Sequence, residues 1–262
     1  MRKTTEFSGN QFALAYPDGI ENHWWHLARN KIIKSVIKAC AGPNALVLDV
    51  GCGQGIAVKY LRAEGIDCTG VEPAEVTPLF PVGDYVRVGV EAGDLPPTER
   101  ARYDTVLLLD VIEHVSDPVT FLQHLFVAFP NLSHVIITVP ARQELWSNYD
   151  DFYGHYRRYT IEMLKNLSVE LRVSHILESY FFHLAYPLGW MVANLAKERE
   201  TKLYAPQSQL SKWAHEFISY VMVCDYYFLP RRVPGMSVLA CFSLDRDSSQ
   251  QNAAANTHSS RR

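Results

Sequence analysis

Short apolar runs alternate with longer segments of helical period along this chain of 262 residues. The continuous apolar run at 103–109 is typical of a central parallel strand that is covered on both faces. Further predicted strands occupy residues 45–50, 67–72, 85–90, 133–139, 171–180 and 236–242. Apolar residues at helical spacing predict helices at about 25–39, 56–63, 119–129, 161–167 and 209–228. The length suits one large α/β domain with room for an insertion or a cap.

The last third of the chain gives a weaker pattern. Residues 179–196 contain no formally charged side chain, and this length is close to the ~18 residues that can span a membrane. Pro187 and Gly189 interrupt the stretch, which favours a buried element or a membrane-touching cap over a true span. The amphipathic segment 209–228 predicts either a helix packed on its neighbour or a lid over a hydrophobic ligand. Residues 245–262 are polar, and we predict a disordered tail there.

Charge and cysteine content exclude several classes of protein. The formal net charge of -3 does not provide the basic field that nucleic-acid binding requires. Five cysteines without a C-x-x-C pair argue against both a disulfide framework and a thiolate zinc site. Residues 1–10 are not followed by the apolar region of a secretory signal. We therefore expect a cytoplasmic protein, and residues 179–228 leave peripheral membrane contact open as a further expectation.

The stretch 47–55 predicts a strand, a tight loop and the start of a helix. Asp49 lies near the end of the apolar run, and Gly51, Gly53 and Gly55 follow at alternate positions. Glycine permits a sharp turn and close contact between the backbone and a bound small molecule. The unpaired N–H groups that begin the next helix suit an anionic group. The alternative is a glycine-rich turn that binds nothing.

The spacing of this loop differs from the dinucleotide fingerprint G-x-G-x-x-G, in which a nicotinamide oxidoreductase would bind its cofactor. Instead, Asp49-x-Gly51-x-Gly53-x-Gly55 resembles motif I of the class I S-adenosylmethionine-dependent methyltransferases. The string DVIEHVSDP at 110–118 resembles the group that includes the ubiquinone-biosynthesis O-methyltransferases. A further pattern, W-S-x-x-D-x-x-x-G-H-x-R-R-Y at 146–159, is similar to one found in many such methyltransferases.

The resemblance implies a Rossmann-like sheet of seven mostly parallel strands, with an N-terminal helical cover and a helical or loop cap. We expect a single methyltransferase domain over residues 1–244, with cap elements at about 141–160 and 181–232. It also implies S-adenosyl-L-methionine as cofactor.

Several residues then acquire expected roles in cofactor binding. Glu72 ends the second predicted strand 23 positions after Asp49, where a carboxylate can accept hydrogen bonds from ribose hydroxyls. By the resemblance, Asp94 contacts the adenine amino group and the backbone of Leu95 meets the ring. Asp94 is also explained as a turn-forming residue. Arg29, on the predicted cover helix, either reaches the carboxylate of the cofactor or remains a solvated helix residue.

Two interpretations compete for Asp110, Glu113 and His114. In the first, Asp110 and its neighbours shape the cofactor pocket and brace the loop after the fourth strand. In the second, the three side chains bind a divalent metal, as in some O-methyltransferases of this superfamily, where the ion lowers the pKa of a hydroxyl group. The metal-binding pattern usually begins with glutamate, whereas this chain has aspartate, so we predict no metal and keep the second interpretation as the alternative.

The loop at 146–159 offers the candidate catalytic group. The imidazole of His155 can act as a general base near neutral pH, and Arg157 and Arg158 suit a carboxylate or a phosphate. Alternatively, Asp150 pairs with one of these arginines and pins the loop, and Thr160 caps the next helix.

These features together predict an S-adenosylmethionine-dependent methyltransferase. We expect transfer to an oxygen of a small or lipid-like acceptor, with His155 as the base. C- or N-methylation and a non-catalytic, S-adenosylmethionine-binding scaffold are the alternatives.

Overall fold

A computed structural model describes residues 9–195 and 198–244 of the chain. The strands form a single sheet in the order β3-β2-β1-β4-β5-β7-β6. They are β1 (Leu46–Val50), β2 (Asp67–Glu72), β3 (Val86–Val88), β4 (Thr105–Leu109), β5 (His134–Pro140), β6 (Ser174–Phe181) and β7 (Ser237–Ser243). The helices are α1 (Gly9–Ala15), α2 (Trp24–Cys40), α3 (Ile56–Ala63), α4 (Pro97–Arg100), α5 (Pro118–Ala128), α6 (Asn148–Tyr153), α7 (Ile161–Leu171), α8 (Tyr186–Leu195) and α9 (Gln209–Phe228).

The sheet confirms the predicted seven-stranded, mostly parallel architecture. Strands β1 to β5 pair in parallel, and β7 runs antiparallel to both β5 and β6. All five residues of β4 are buried, as its unbroken apolar sequence predicts for a strand that is covered on both faces. The carboxyl ends of β1, β2 and β4 therefore meet at one edge of the sheet, where ligands bind in open α/β folds.

Two predicted boundaries are wrong in detail. Residues 171–173 are not part of the sixth strand, because α7 continues to Leu171 and Arg172 ends it in the left-handed conformation. Leu171 packs against the core from the end of that helix. The third strand is confined to Val86–Val88, because Gly89 has φ +69 and turns the chain away.

One core lies on each face of the sheet. Helices α5 and α7 cover one face, where Leu122 and Leu164 are fully buried. Helices α2 and α3 cover the other face, where Ile33 and Leu61 are fully buried. Helix α9 forms an outer layer on α2, and the Lys31 Nζ of α2 donates to Glu216 Oε1 of α9 at 2.6 Å.

The residues predicted as the second cap element, 181–232, lie between β6 and β7. The uncharged stretch 179–196 contains the buried end of β6 and then α8, which has no buried residue. One face of α9 packs against its neighbours, as one interpretation of the sequence predicted, since Ser219, Asp225 and Tyr226 are buried. Among the described residues, no helix is both long and apolar enough to cross a membrane. The predicted tail at 245–262 lies outside the described residues.

Candidate functional site

The glycine loop leaves β1 and leads into α3 with almost no free space around it. Gly51, Gly53 and Gly55 have φ values of +75, +55 and +80, a region that side-chain-bearing residues avoid. A Cβ on Gly53 would lie 2.7 Å from the hydroxyl oxygen of Tyr16, and one on Gly51 would lie 2.9 Å from a methyl group of Val111. The loop thus requires glycine both for its backbone conformation and for close packing.

Glu72 holds the loop in this shape. Its Oε2 accepts a hydrogen bond from Gly53 N at 2.8 Å, and its Oε1 accepts one from Ala74 N at 3.0 Å. The backbone of Val90, after β3, donates to the carbonyl of Glu72 at 3.2 Å. The end of β2 therefore connects the glycine loop with the segment that leads to Asp94.

Asp49 and Asp110 add two more carboxyl groups at this edge of the sheet. Asp49 is buried, and its Oδ1 has no hydrogen-bond partner among the described residues. Burial raises the pKa of Asp49 to about 7, against the opposing charge of Arg29. Asp110 directly follows β4 with φ +58, and its Oδ2 accepts from Arg29 Nη1 at 2.6 Å. Burial also raises the pKa of Asp110.

Arg29 is not the solvated helix residue that one interpretation of the sequence expected. Arg29 belongs to α2 and is buried, and the carbon of its guanidinium lies 4.6 Å from the centre of the Trp25 ring. It lines one cavity together with Tyr16, Asp49 and Gly51. The N-terminal helical cover is thus in place over the glycine loop.

Three carboxyl groups lie at or near this cavity, and they interact with its one arginine. Asp49 and Arg29 line the cavity, Asp110 forms an ion pair with Arg29, and the charges of Glu72 and Asp110 both act on Asp49. Buried charges require partners. The arrangement therefore suits a ligand that brings positive charge and presents a further anionic group to Arg29.

The structure places Asp94 and Leu95 after β3, at the end of a single helical turn formed by Ala92–Asp94. Asp94 is exposed, whereas the side chain of Leu95 is buried in the core. The Leu95 backbone remains as the part of that residue available to a ligand.

The structure brings together a different set of possible metal ligands from the one considered in the sequence: His155 takes the place of Asp110. Glu113, His114 and His155 each offer a ligand atom, and these atoms lie within 4.8 Å of one another. Asp110 is absent from this group, because its carboxylate faces Arg29. Both carboxyl oxygens of Glu113 are buried without a partner among the described residues, and burial raises its pKa well above the usual value. Burial lowers the pKa of His114 to about 3, so its imidazole is neutral.

Asp150 links His155 to the loop that contains it. Its Oδ1 lies 2.8 Å from His155 Nδ1 and 2.8 Å from Arg158 Nε, and its Oδ2 accepts from Arg158 Nη2 at 3.0 Å. Burial alone would raise the pKa of Asp150, but the hydrogen bonds from His155 and Arg158 outweigh it and lower the pKa to about 2. The loop-bracing interpretation holds for Arg158.

The other elements of this loop also have partners. Arg157 Nη2 donates to the carbonyl of Ser116 at 2.6 Å, so neither predicted anion-binding arginine is free. Thr160 caps α7 as predicted, by accepting from Met163 N.

Sequence reasoning missed Arg199. The polar composition of residues 197–202 indicates solvent-exposed chain, yet the structure places the Arg199 guanidinium 4.3 Å from the centre of the Tyr149 ring. No sequence signal marks this residue, because its position depends on how the chain after α8 crosses α6.

The raised pKa of Asp49 predicts how stability depends on pH. In the folded state Asp49 keeps its proton to about pH 7, whereas in the unfolded chain it loses the proton near pH 4. Between these values the folded state binds more protons, so the free energy of unfolding falls as pH rises. We expect Asp49→Asn to remove this fall and to gain about 1–4 kcal/mol relative to wild type between pH 4 and pH 8.

Urea unfolding of the ligand-free protein across this pH range checks the prediction. The exposed Asp94→Asn serves as the control and should follow the wild-type pH dependence. A difference between wild type and Asp49→Asn that is the same at every pH would contradict the assignment.

Comparison with known proteins agrees with this geometry. The family model described as "Methyltransferase domain" matches residues 24–170, which is more than half of the chain. A ubiquinone biosynthesis O-methyltransferase of Escherichia coli O6:H1 is 32% identical over 120 residues, covering 38% of this chain and 49% of that protein. The enzyme of the same name from Nitrosomonas europaea is 37% identical over 126 residues, covering 40% of this chain and 52% of that protein. The chain thus spans about half the length of these curated relatives.

A solved structure, the plantazolicin methyltransferase BpumL, aligns over 85% of both chains with a TM-score of 0.51 and 15% sequence identity. This likeness shows a shared fold. The family assignment implies S-adenosylmethionine as the cofactor. With the sheet order, the glycine loop and the family match in agreement, the chain belongs to the methyltransferase domain family.

Proposed function

We propose that this protein is an S-adenosylmethionine-dependent O-methyltransferase that acts on a small or lipid-like acceptor. The observation that carries the proposal is the pairing of a cavity lined by Asp49, Gly51 and Arg29 with an Asp150–His155 dyad in the loop after β5. The two ubiquinone biosynthesis O-methyltransferases matched over part of their length support oxygen, rather than carbon or nitrogen, as the atom that accepts the methyl group.

The donor side of the site fits the cofactor by charge and by shape. S-adenosylmethionine supplies an activated methyl group on a positively charged sulfur. Its sulfonium and ammonium groups match the carboxyl groups of Asp49 and Asp110, and its carboxylate matches Arg29. The glycine loop puts no side chain of its own between the backbone and a cofactor, and Tyr16, which packs on Gly53, would have to move for a ligand to contact the loop there.

The remaining assignments follow the resemblance. Glu72 accepts hydrogen bonds from the ribose hydroxyls, Asp94 contacts the adenine amino group, and the Leu95 backbone meets the ring.

On the acceptor side, we assign His155 as the general base. A carboxylate can only accept a hydrogen bond, so Asp150 fixes the proton on Nδ1 and leaves Nε2 as the acceptor. His155 Nε2 would take the proton of the acceptor hydroxyl, and Asp150 would stabilise the resulting imidazolium. The cofactor, when bound, would supply the methyl group by cleavage of its methyl–sulfur bond and leave as the neutral thioether S-adenosylhomocysteine.

The same imidazole has a second candidate role. A carboxylate that orients one ring nitrogen while the other faces a cluster of ligands is also the arrangement of metal-binding histidines. Glu113, His114 and His155 would then hold a divalent ion that lowers the pKa of the acceptor hydroxyl. The unpaired carboxyl oxygens of Glu113 favour this alternative.

The surface of α8 and α9 supports a lipid-like acceptor or contact with a membrane surface. Helix α8 exposes Leu188, Met191 and Leu195 at helical spacing, and α9 exposes Trp213 and Phe217. Exposed apolar faces of this extent are typical of interaction sites. Arg231 and Arg232 follow α9 and are exposed, which suits an anionic surface.

Replacement of Glu72 tests the donor site. Glu72→Ala removes the acceptor of the ribose hydroxyls, so we expect the affinity for S-adenosylmethionine to fall by about 100-fold. Titration calorimetry measures this loss, and the exposed Glu75→Ala should bind as wild type does. Because Glu72 also holds Gly53 N, Glu72→Gln, which keeps one oxygen, should lose less. Unchanged affinity in Glu72→Ala would refute the ribose assignment.

Replacement of His155 tests the chemistry. The assay follows a labelled methyl group from S-adenosylmethionine into cell-extract fractions that have been separated into polar and lipid pools. We expect His155→Asn to bind S-adenosylmethionine normally but to transfer the label about 100- to 10,000-fold more slowly than the wild type. The exposed His124→Asn is the matched control. If the label enters neither pool with the wild-type protein, the non-catalytic scaffold is favoured.

Metal content separates the two roles of His155. Bound divalent metal that is lost in His155→Asn, together with inhibition of the wild type by a chelator, would favour the metal role. Full activity after chelator treatment would favour the general base.

Sedimentation with vesicles tests the surface of α8 and α9. We expect the protein to pellet with phosphatidylglycerol vesicles and Trp213→Ser/Phe217→Ser to pellet less, because burial of each exposed aromatic in the interface contributes about 1–3 kcal/mol. Val127→Ser, an exposed apolar residue on α5, is the control. Recovery of the wild type in the supernatant would leave a small acceptor as the proposal.

A further inference from the structure

Residues 198–204, which we call the strap, run across α1 and α6. Asn148 holds the strap at Arg199 through two hydrogen bonds: its Nδ2 donates to the Arg199 carbonyl at 2.8 Å, and its Oδ1 accepts from Arg199 N at 2.7 Å. The Tyr153 hydroxyl donates to the carbonyl of Thr201 at 2.9 Å. Leu203 N donates to the carbonyl of Leu14 at 3.1 Å. The backbone of Arg199 is therefore fixed relative to α6.

The backbone of Arg199 is hydrogen-bonded, whereas its side chain has no polar partner among the described residues. Its guanidinium stacks over the Tyr149 ring at 4.3 Å, and the residue is half-buried. No hydrogen bond or ion pair joins this guanidinium to any residue within 9–195 and 198–244. Burial lowers the pKa of Arg199, but an arginine stays charged. A cation that has lost part of its water without gaining a counter-ion is costly, which points to an anion supplied from outside the chain.

The neighbouring arginines are already engaged. Arg157 donates to the Ser116 carbonyl and Arg158 binds both oxygens of Asp150, whereas Arg29, bound to Asp110, lines the cavity assigned to the cofactor. Arg199 thus supplies positive charge on the α6 side of the site that forms no ion pair with a carboxylate of the described residues, although the charge of Asp150 acts on it.

Helix α6 also connects Arg199 with the candidate base. Asn148 holds the Arg199 backbone, Tyr149 supports its guanidinium, and Asp150 holds the imidazole of His155. These three residues are consecutive, so one turn of helix determines the positions of both groups. The charges of Asp150 and Arg158 both act on Arg199, so Arg199 lies close to the carboxylate that orients His155, and one ligand could contact both groups.

We propose that Arg199 binds an anionic group of the methyl acceptor, a carboxylate or a phosphate carried on a flat apolar body. The Tyr149 ring supports the guanidinium at 4.3 Å from its carbon, and the planar fork of an arginine suits bidentate contact with such an anion. This inference rests on the proposed function, and it narrows the acceptor to organic acids and phosphate esters.

The test measures binding of small probes to the protein saturated with S-adenosylhomocysteine. Benzoate and benzamide form a matched pair of anion and neutral compound, and phenyl phosphate and phenol form a second pair. We expect the wild type to bind the anion of at least one pair roughly 10- to 100-fold more tightly than its neutral partner. The pair that shows the preference tells a carboxylate site from a phosphate site.

Variants on the strap identify the residue responsible. Arg199→Met should bind both members of the pair equally, and Arg199→Lys should restore part of the preference because it keeps the charge without the planar fork. Lys202→Met removes one positive charge from an exposed position on the same strap and should keep the wild-type preference.

Three outcomes would overturn the proposal. They are equal binding of anion and neutral compound by the wild type, no binding of any probe up to about 10 mM, and a preference that survives in Arg199→Met. Calorimetry with S-adenosylmethionine on the same proteins distinguishes the two levels of failure. If the wild type binds the cofactor but shows no preference for anions, only the role of Arg199 is refuted. If the wild type does not bind the cofactor at all, the proposed function is refuted.

Discussion

Burial of carboxyl groups at the ends of three neighbouring strands is the constraint on which the site depends. Asp49 lies near the end of β1, Glu72 ends β2, and Asp110 follows β4. Each would be costly without a partner, and the structure compensates each in a different way. Glu72 accepts two backbone N–H groups, Asp110 pairs with Arg29, and Asp49 retains its proton to about pH 7. The cover helix α2 is held over the glycine loop by the Arg29–Asp110 pair, so the same charges shape the cavity and close it.

The acceptor side of the site, around α6, has an excess of positive rather than negative charge. Asp150 is fully compensated by Arg158 and His155, and Arg199 adds a positive charge that has no ion pair among the described residues. Under the proposed function, an acidic donor side would face a cationic cofactor and a basic acceptor side would face an anionic acceptor. Such opposed charges would orient both ligands before methyl transfer, which is where positioning contributes most to rate.

Much of the fold could be predicted from local sequence. The glycine spacing, the apolar β4 run and the positions of Glu72 and Asp110 follow from chain chemistry and register alone, because strand ends are placed by the sheet. The partners of these residues could not be predicted. Whether Arg29 is solvated or buried depends on how α2 lies on the sheet, and the choice of Arg158 over Arg157 by Asp150 depends on the turn at Gly154. The half-buried position of Arg199 could not be predicted from sequence, because the polar residues around it indicate exposure to solvent. It becomes half-buried only because the strap crosses α6.

The most direct test of the central claim is calorimetric titration of the protein with S-adenosylmethionine near pH 6.5, in two buffers that differ in ionisation enthalpy. A buried Asp49 with a pKa of about 7 would lose its proton when the cationic cofactor binds. We therefore expect one binding site per chain with release of protons to the buffer, and no release in Asp49→Asn. Absence of binding, or binding of S-adenosylmethionine without any proton exchange, would contradict it.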